Sequence, residues 1–209
     1  MSVIGFDTSN YTTSAALCDG EGKILANIKY PLPVKPGERG LRQSDAVFAH
    51  IKNLPSVTAD LQKIIAESGD TLAAVAVSSQ PCDEEGSYMP CFLVGVNAAN
   101  CIASATDKPV YGFSHQAGHI AAALYSSGRM NLIKEKFIAF HFSGGTTEAL
   151  LVEPDEKEII RCTLIAQSTD LKAGQAVDRI GVKMGIPFPA GIGLEKLAEK
   201  SEKQFKNKI

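Results

Sequence analysis

A strand–turn–strand pattern that occurs twice constrains this chain more than any other feature. Residues 3–6, 12–17 and 24–30 read as three short strands, with a small polar turn, DTSNYTT, after the first and a Gly/Asp-rich hairpin turn at 19–23 before the third. Residues 137–142, 148–152 and 159–165 repeat that order, with SGGTT at 143–147 in the place of DTSNYTT. The two turns begin 136 residues apart, at Asp7 and Ser143. That period is too long for a solenoid, so the expectation is two related lobes, 1–130 and 131–209.

Between the repeats the pattern predicts a helix over 44–68, with Pro55 expected to kink or divide it. A buried strand at 72–77, an apolar helix over 90–105, a strand at 110–113 and a helix over 116–126 follow, with a loop from Ser78 to Met89. After the second set of strands, 174–184 and 193–203 read as helices. The first lobe therefore continues from its helix into strand, helix and strand, and the second does not. The class is α/β, with an incomplete second lobe.

Composition enters where function classes are excluded. The 209 residues are 44% apolar and 21% charged, which suits a chain with a sizeable core. Net charge is −2, so no overall positive field holds nucleic acid unaided, and Lys196, Lys200, Lys203, Lys206 and Lys208 read first as a solvated helix end. Five scattered cysteines with no CxxC pair read as small core residues in a reducing cytoplasm. A membrane span would need about 18 uninterrupted apolar residues. No such window and no leader is read here, so no membrane attachment is expected.

Three constellations can carry chemistry. The turns holding Asp7, Thr8 and Ser9 and Ser143, Gly144, Gly145, Thr146 and Thr147 combine hydroxyls with small residues, which lets backbone N–H groups surround a phosphate. An ordinary polar hairpin uses the same residues, and the duplication is what favours a shared nucleotide. In SHQAGH, His115 and His119 are four apart, so a helix puts both imidazoles on one face where a metal can take them; local capping is the competing reading. Gln116 stands where a zinc protease needs its glutamate base. The third constellation is Asp178 in a helical stretch, followed by Gly191 and Gly193 at the opening of the last helix, where backbone N–H groups can meet an anion.

The ordered set GFDTSNYTTSAAL, FLVGVNAANCIASATDKPVYGFSHQAGHIAAA, FSGGTTEALLV and AGQAVDRIGVKMGIPFPAGIGLEKLA resembles the TsaD-type tRNA threonylcarbamoyladenosine synthase family, formerly called glycoprotease or O-sialoglycoprotein endopeptidase (peptidase M22). The resemblance implies the duplicated actin/Hsp70-like (ASKHA) ATPase fold. It also implies transfer of threonylcarbamoyl from its adenylate to a tRNA adenosine, within a complex of other subunits that bring the tRNA. It implies one divalent metal, iron or zinc, on His115 and His119, with a third ligand in a part of the family pattern this chain does not match. By the same resemblance, Ser143–Thr147, Asp178 and Gly191 contact an adenine nucleotide or threonylcarbamoyl-adenylate. The family's HxEGH is HQAGH here, its SGGHT is SGGTT and its ETS is DTS. Two other functions are expected as alternatives, a non-catalytic interaction or dimerisation paralogue and the metallo-glycoprotease of the older name. A homo- or heterodimer is the expected assembly.

Overall fold

The structure is a computed structural model that describes residues 1–9, 11–33 and 41–201. Asn10 of the first turn, most of the loop before residue 41 and Lys203, Lys206 and Lys208 lie outside the described residues. The chain divides into two compact units, Met1–Glu135 with Glu153–Cys162, and Lys136–Val152 with Thr163–Ile209.

In the first unit, β1 (Ser2–Asp7), β2 (Thr12–Asp19), β3 (Ile24–Pro31), β4 (Leu72–Gln80) and β5 (Val110–Ser114) form one sheet in the order β3-β2-β1-β4-β5. The first three strands pair antiparallel, and β4 and β5 join in parallel. Asp19 closes the β2–β3 turn by accepting the Glu21 and Lys23 N–H groups, and Gly22 supplies the positive φ that the turn requires.

Strand alternation gives this sheet two unlike faces. Ile4, Phe6, Ala15, Leu17, Val75 and Val77 point to one side, where α1 (Gln43–Ser68) and α2 (Phe92–Thr106) cover them with Val57, Leu61, Ala99 and Ala103. Each fully buried aliphatic side chain there contributes about 1.5–3 kcal/mol. The opposite face carries Gly5, Asp7, Ser14, Ala16, Ala76 and Ser78, and the register sets Gly5 beside Ala16 and Ala76, and Asp7 beside Ser14. These side chains are too small to fill the space above the sheet. A cavity of about 890 Å³ lies over them, walled by Ala117, Gly118 and Ala121 of α3 (His115–Ser126).

Of the two outcomes expected at Pro55, division does not occur, and α1 runs through the proline as one 26-residue helix. The missing proline N–H leaves the Ile51 carbonyl without its helical donor, and Ile51 is exposed, where water can take that role. β4 also runs three residues further than 72–77, so Ser78 is a strand residue and not the start of a loop. A 3-10 turn at Met130–Lys134, unmarked in the sequence pattern, follows α3.

His50 of α1 is fully buried beneath the sheet. Its Nδ1 lies 2.8 Å from the Thr13 hydroxyl, which also accepts from Asn53, and its Nε2 has no hydrogen-bond partner among the described residues. Burial lowers its pKa below the usual 6.5, and the negative charge of Asp7 only partly opposes this. The unfolded chain therefore takes up a proton at a pH where the folded chain does not. Stability is expected to be intact above about pH 6.5 and to fall as pH drops below it, by at most about 1.4 kcal/mol per unit and only until His50 takes up its proton in the folded chain. Thermal unfolding from pH 8 to pH 5 should show this slope, reduced in His50→Gln; parallel curves for the two proteins would refute it.

A second, three-stranded sheet has the order β6-β7-β8, built from β6 (Phe137–Phe142), β7 (Thr147–Asp155) and β8 (Ile159–Gln167). Two helices follow, α4 (Ala173–Lys183) and α5 (Gly191–Glu199). They approach closely because of two glycines: a Cβ on Gly181 would lie 2.4 Å from that of Ala190, and one on Gly193 would lie 2.5 Å from Ile186. Among the described residues no helix is long and apolar enough to cross a membrane.

Candidate functional site

The carboxyl-terminal ends of β1 and β4 and the first turn of α3 bring four of the chemistry-bearing side chains of the first unit together. Ser114 starts α3 by accepting the Ala117 N–H on its hydroxyl at 3.1 Å, a cap that places His115 at the first helical position. His115 and His119 then stand one turn apart on the same face, with ring centroids 4.2 Å apart and planes at 71°. Both line the cavity over the small-residue face of the sheet.

Asp7, at the end of β1, lies 2.7 Å from His115 Nδ1 through its Oδ2. The same oxygen accepts the Ser78 hydroxyl at 2.5 Å, and Oδ1 accepts both the Ser9 N–H at 2.8 Å and the Ser9 hydroxyl at 2.5 Å. Burial alone would raise the Asp7 pKa. The hydrogen bond and electrostatic attraction from His115, together with the Ser78 and Ser9 hydroxyls, outweigh burial and hold the carboxyl well below the usual range. Asp7 is therefore ionised at neutral pH.

Thr8 points to the other side of the sheet. It is fully buried, donates to the Cys91 carbonyl at 2.8 Å and accepts the Gly95 N–H at 3.0 Å, which ties the turn after β1 to the start of α2. A Cβ on Gly95 would come within 2.9 Å of that hydroxyl, so the glycine is what lets Thr8 reach α2.

In the second unit the turn Ser143–Thr147 is organised by its own hydroxyls. Ser143 Oγ accepts the Gly145 and Thr146 N–H groups and lies 2.8 Å from Thr146 Oγ1. The start of α4 rests on this turn: Gly174 N–H donates to the Ser143 carbonyl, Gln175 donates to the Gly144 carbonyl, and Thr147 Oγ1 accepts the Ala173 N–H. Asp178 Oδ1 accepts the Ala190 N–H at 2.8 Å, fixing the turn that leads into α5. Gly191 opens α5 with free space around its Cα, where a ligand can approach the backbone. Sequence reasoning missed Ser78 and Ser114, which only the length of β4 and the helix start reveal.

Among the described residues no cysteine lines this cavity. Cys91 and Cys162 are buried, and burial with the charge of Asp83 pushes the Cys162 thiol up to about 12.

A profile of the family described as TsaD, tRNA N6-adenosine threonylcarbamoyltransferase, matches residues 23–209. The chain belongs to the TsaD family. Among curated TsaD-family relatives of that description, one from Geobacillus thermodenitrificans is 30% identical over 202 residues, covering 96% of this chain and 55% of the relative. Another, from Lacticaseibacillus casei, is 32% identical over 206 residues, covering 97% and 56%. The chain thus spans about half the length of the curated relatives it matches. A ROK family protein from Streptococcus pneumoniae TIGR4, solved in complex with sucrose, superposes with a TM-score of 0.52 at 14% identity, covering 95% of this chain and 68% of that one. YeaZ from Pseudomonas aeruginosa matches at a TM-score of 0.47 and 15% identity, covering 80% of this chain and 65% of its own. The fold is of the actin/Hsp70-like α/β class.

For the divalent metal the family resemblance implies, the donor set is a partial fit. The His115 and His119 imidazoles are adjacent on one helical turn and both border the cavity. Among the described residues no group of three metal-ligating side chains occurs.

Proposed function

We propose that this chain is the nucleotide- and metal-binding part of a threonylcarbamoyl transferase, which moves the threonylcarbamoyl group from threonylcarbamoyl-adenylate to the exocyclic amine of a tRNA adenosine. In that reaction the amine nitrogen bonds to the carbamoyl carbon, the bond from that carbon to the phosphate oxygen breaks, AMP leaves and the amine loses a proton. The observation that carries the reading is the imidazole pair at the head of α3, beside an ionised Asp7 and over a cavity large enough for a small-molecule acyl group.

His115 and His119 would hold the metal, which when bound supplies Lewis-acid polarisation of an acyl or phosphate oxygen. The chain's other residues bind and orient. Gly191 leaves room for the adenylate at the head of α5, and Asp178 holds the turn before it. The Ser143–Thr147 turn, stiffened by Ser143, offers backbone groups to the nucleotide, and Ser9 borders the cavity beside Asp7. With a net charge of −2, tRNA affinity comes from other subunits of the complex. The setting of the reaction is the cytoplasm.

With labelled threonylcarbamoyl-adenylate, tRNA and the other subunits of a bacterial complex, transfer is expected and should fall at least about 100-fold in His119→Ala. The chain alone should transfer little, since two imidazoles make an incomplete metal shell. Assembly with the subunits but no transfer, in both proteins, would replace this reading with that of an interaction paralogue.

A further inference from the structure

We infer that Asp7 is a positioning residue: its carboxylate, held by the Ser9 and Ser78 hydroxyls, accepts a hydrogen bond from His115 Nδ1–H and so leaves Nε2 as the ligating nitrogen. The inference rests on the metal reading above and assigns the carboxylate a role distinct from nucleotide contact.

A count of protons carries it. Ser9 and Ser78 have one hydroxyl proton each, and each hydroxyl lies 2.5 Å from a carboxylate oxygen of Asp7, an acceptor only. The Ser9 N–H points at the same carboxylate at 2.8 Å. Three donors thus saturate much of an ionised carboxylate, and the fourth group within reach, His115 Nδ1 at 2.7 Å, can join them only as an N–H donor. In a neutral imidazole the other nitrogen then carries the lone pair. His115 Nε2 is 3.5 Å from Ser9 Oγ, whose proton is already directed at Asp7, so that hydroxyl does not occupy the lone pair.

The arrangement also fixes the ring plane. Asp7 is anchored from β4 by Ser78 and by its own turn through Ser9, so the imidazole is braced by the rigid sheet and the capped start of α3. Carboxylates placed behind metal-bound histidines orient the ring and raise its basicity, and removing one costs about 10–100-fold in metal affinity. Among the described residues the Ser78 hydroxyl donates to this carboxylate, which makes it a second, separate probe.

The test uses the 209-residue chain with zinc ion as the probe. Two-bond proton–nitrogen spectra of histidine-labelled protein at neutral pH, assigned with His115→Gln, should show His115 as the Nδ1–H tautomer. Asp7→Asn, whose amide can donate to Nδ1, should shift it toward the Nε2–H form and weaken zinc binding about 10–100-fold. Ser78→Ala, which keeps the carboxylate but frees it, should weaken zinc binding in the same direction by a smaller factor, with unfolding midpoints showing that the fold persists. An Nε2–H or doubly protonated His115 in the unsubstituted chain would overturn the inference, even if Asp7→Asn fails to fold. Undiminished zinc affinity in Asp7→Asn, with His119→Ala losing zinc, would also overturn it. If His119→Ala keeps its zinc, the metal reading itself fails, while the spectra still decide the tautomer.

Discussion

Gly174→Ala is expected to detach the start of α4 from the Ser143–Thr147 turn and to destabilise the second unit by roughly 3 kcal/mol or more, from overpacking plus lost hydrogen bonds. A Cβ at this position would lie 2.6 Å from Gly144 N and from Ser143 C, and 2.7 Å from Ser143 O. All three are backbone atoms, so no rotamer change can relieve the overlap. The helix start must move, and with it go the bonds from Gly174 to Ser143 and from Gln175 to Gly144, with that from Ala173 to Thr147 strained. Helix propensity alone would give the opposite sign, since alanine favours a helix over glycine by about 1 kcal/mol. Gly144→Ala is the control, because nothing lies within 4 Å of a Cβ there. Denaturant unfolding should place Gly174→Ala well below both the parent chain and Gly144→Ala; coincident transitions would refute the close-approach argument.

Why the sequence revealed some of this and not the rest follows from the range of each interaction. The alternation in β1 to β3 and in β6 to β8 is local, so all six strands are found within two or three residues of their expected ends. The spacing of His115 and His119 was equally legible, because four residues on a helix fix a shared face whatever lies around it. That Pro55 does not divide α1 was not legible, because the packing of Val57 and Leu61 against the sheet, which helps hold the helix across the lost hydrogen bond, is a tertiary fact. Thr8 and Asp7 are neighbours in one polar turn, and only strand alternation sends one under α2 and the other into the cavity. Ser78 could not be read as Asp7's partner, since 71 residues separate them and nothing local marks the end of β4.

Phe140→Asp together with Phe142→Asp is expected to turn an associating chain into a monomeric one. The burial of β6 alternates strictly, and its outward residues Ile138, Phe140 and Phe142 are 55%, 66% and 62% exposed. The two phenyl rings stack on each other at 5.9 Å, forming a continuous apolar surface. In the first unit the strand that opens the sheet hides its large residues, Ile4 and Phe6, beneath α1 and α2; nothing among the described residues does this for Phe140 and Phe142. β6 is also an edge strand, with β7 its one neighbour among the described residues. An apolar face beside an unpaired edge favours pairing with another chain. In a dimer built on this face the two rings of each copy would together bury roughly 500 Å², worth on the order of 12 kcal/mol before the cost of association is subtracted. Sedimentation at about 100 μM should therefore show a dimer or larger species for the parent chain. The doubly substituted chain should retain its far-ultraviolet dichroism, because both positions are on the surface. Its association should weaken at least about 10-fold, which corresponds to losing about 1.4 kcal/mol of that surface energy. A parent chain that stays monomeric, or a substituted chain that associates as strongly, would show that this face is not what holds copies or partners together.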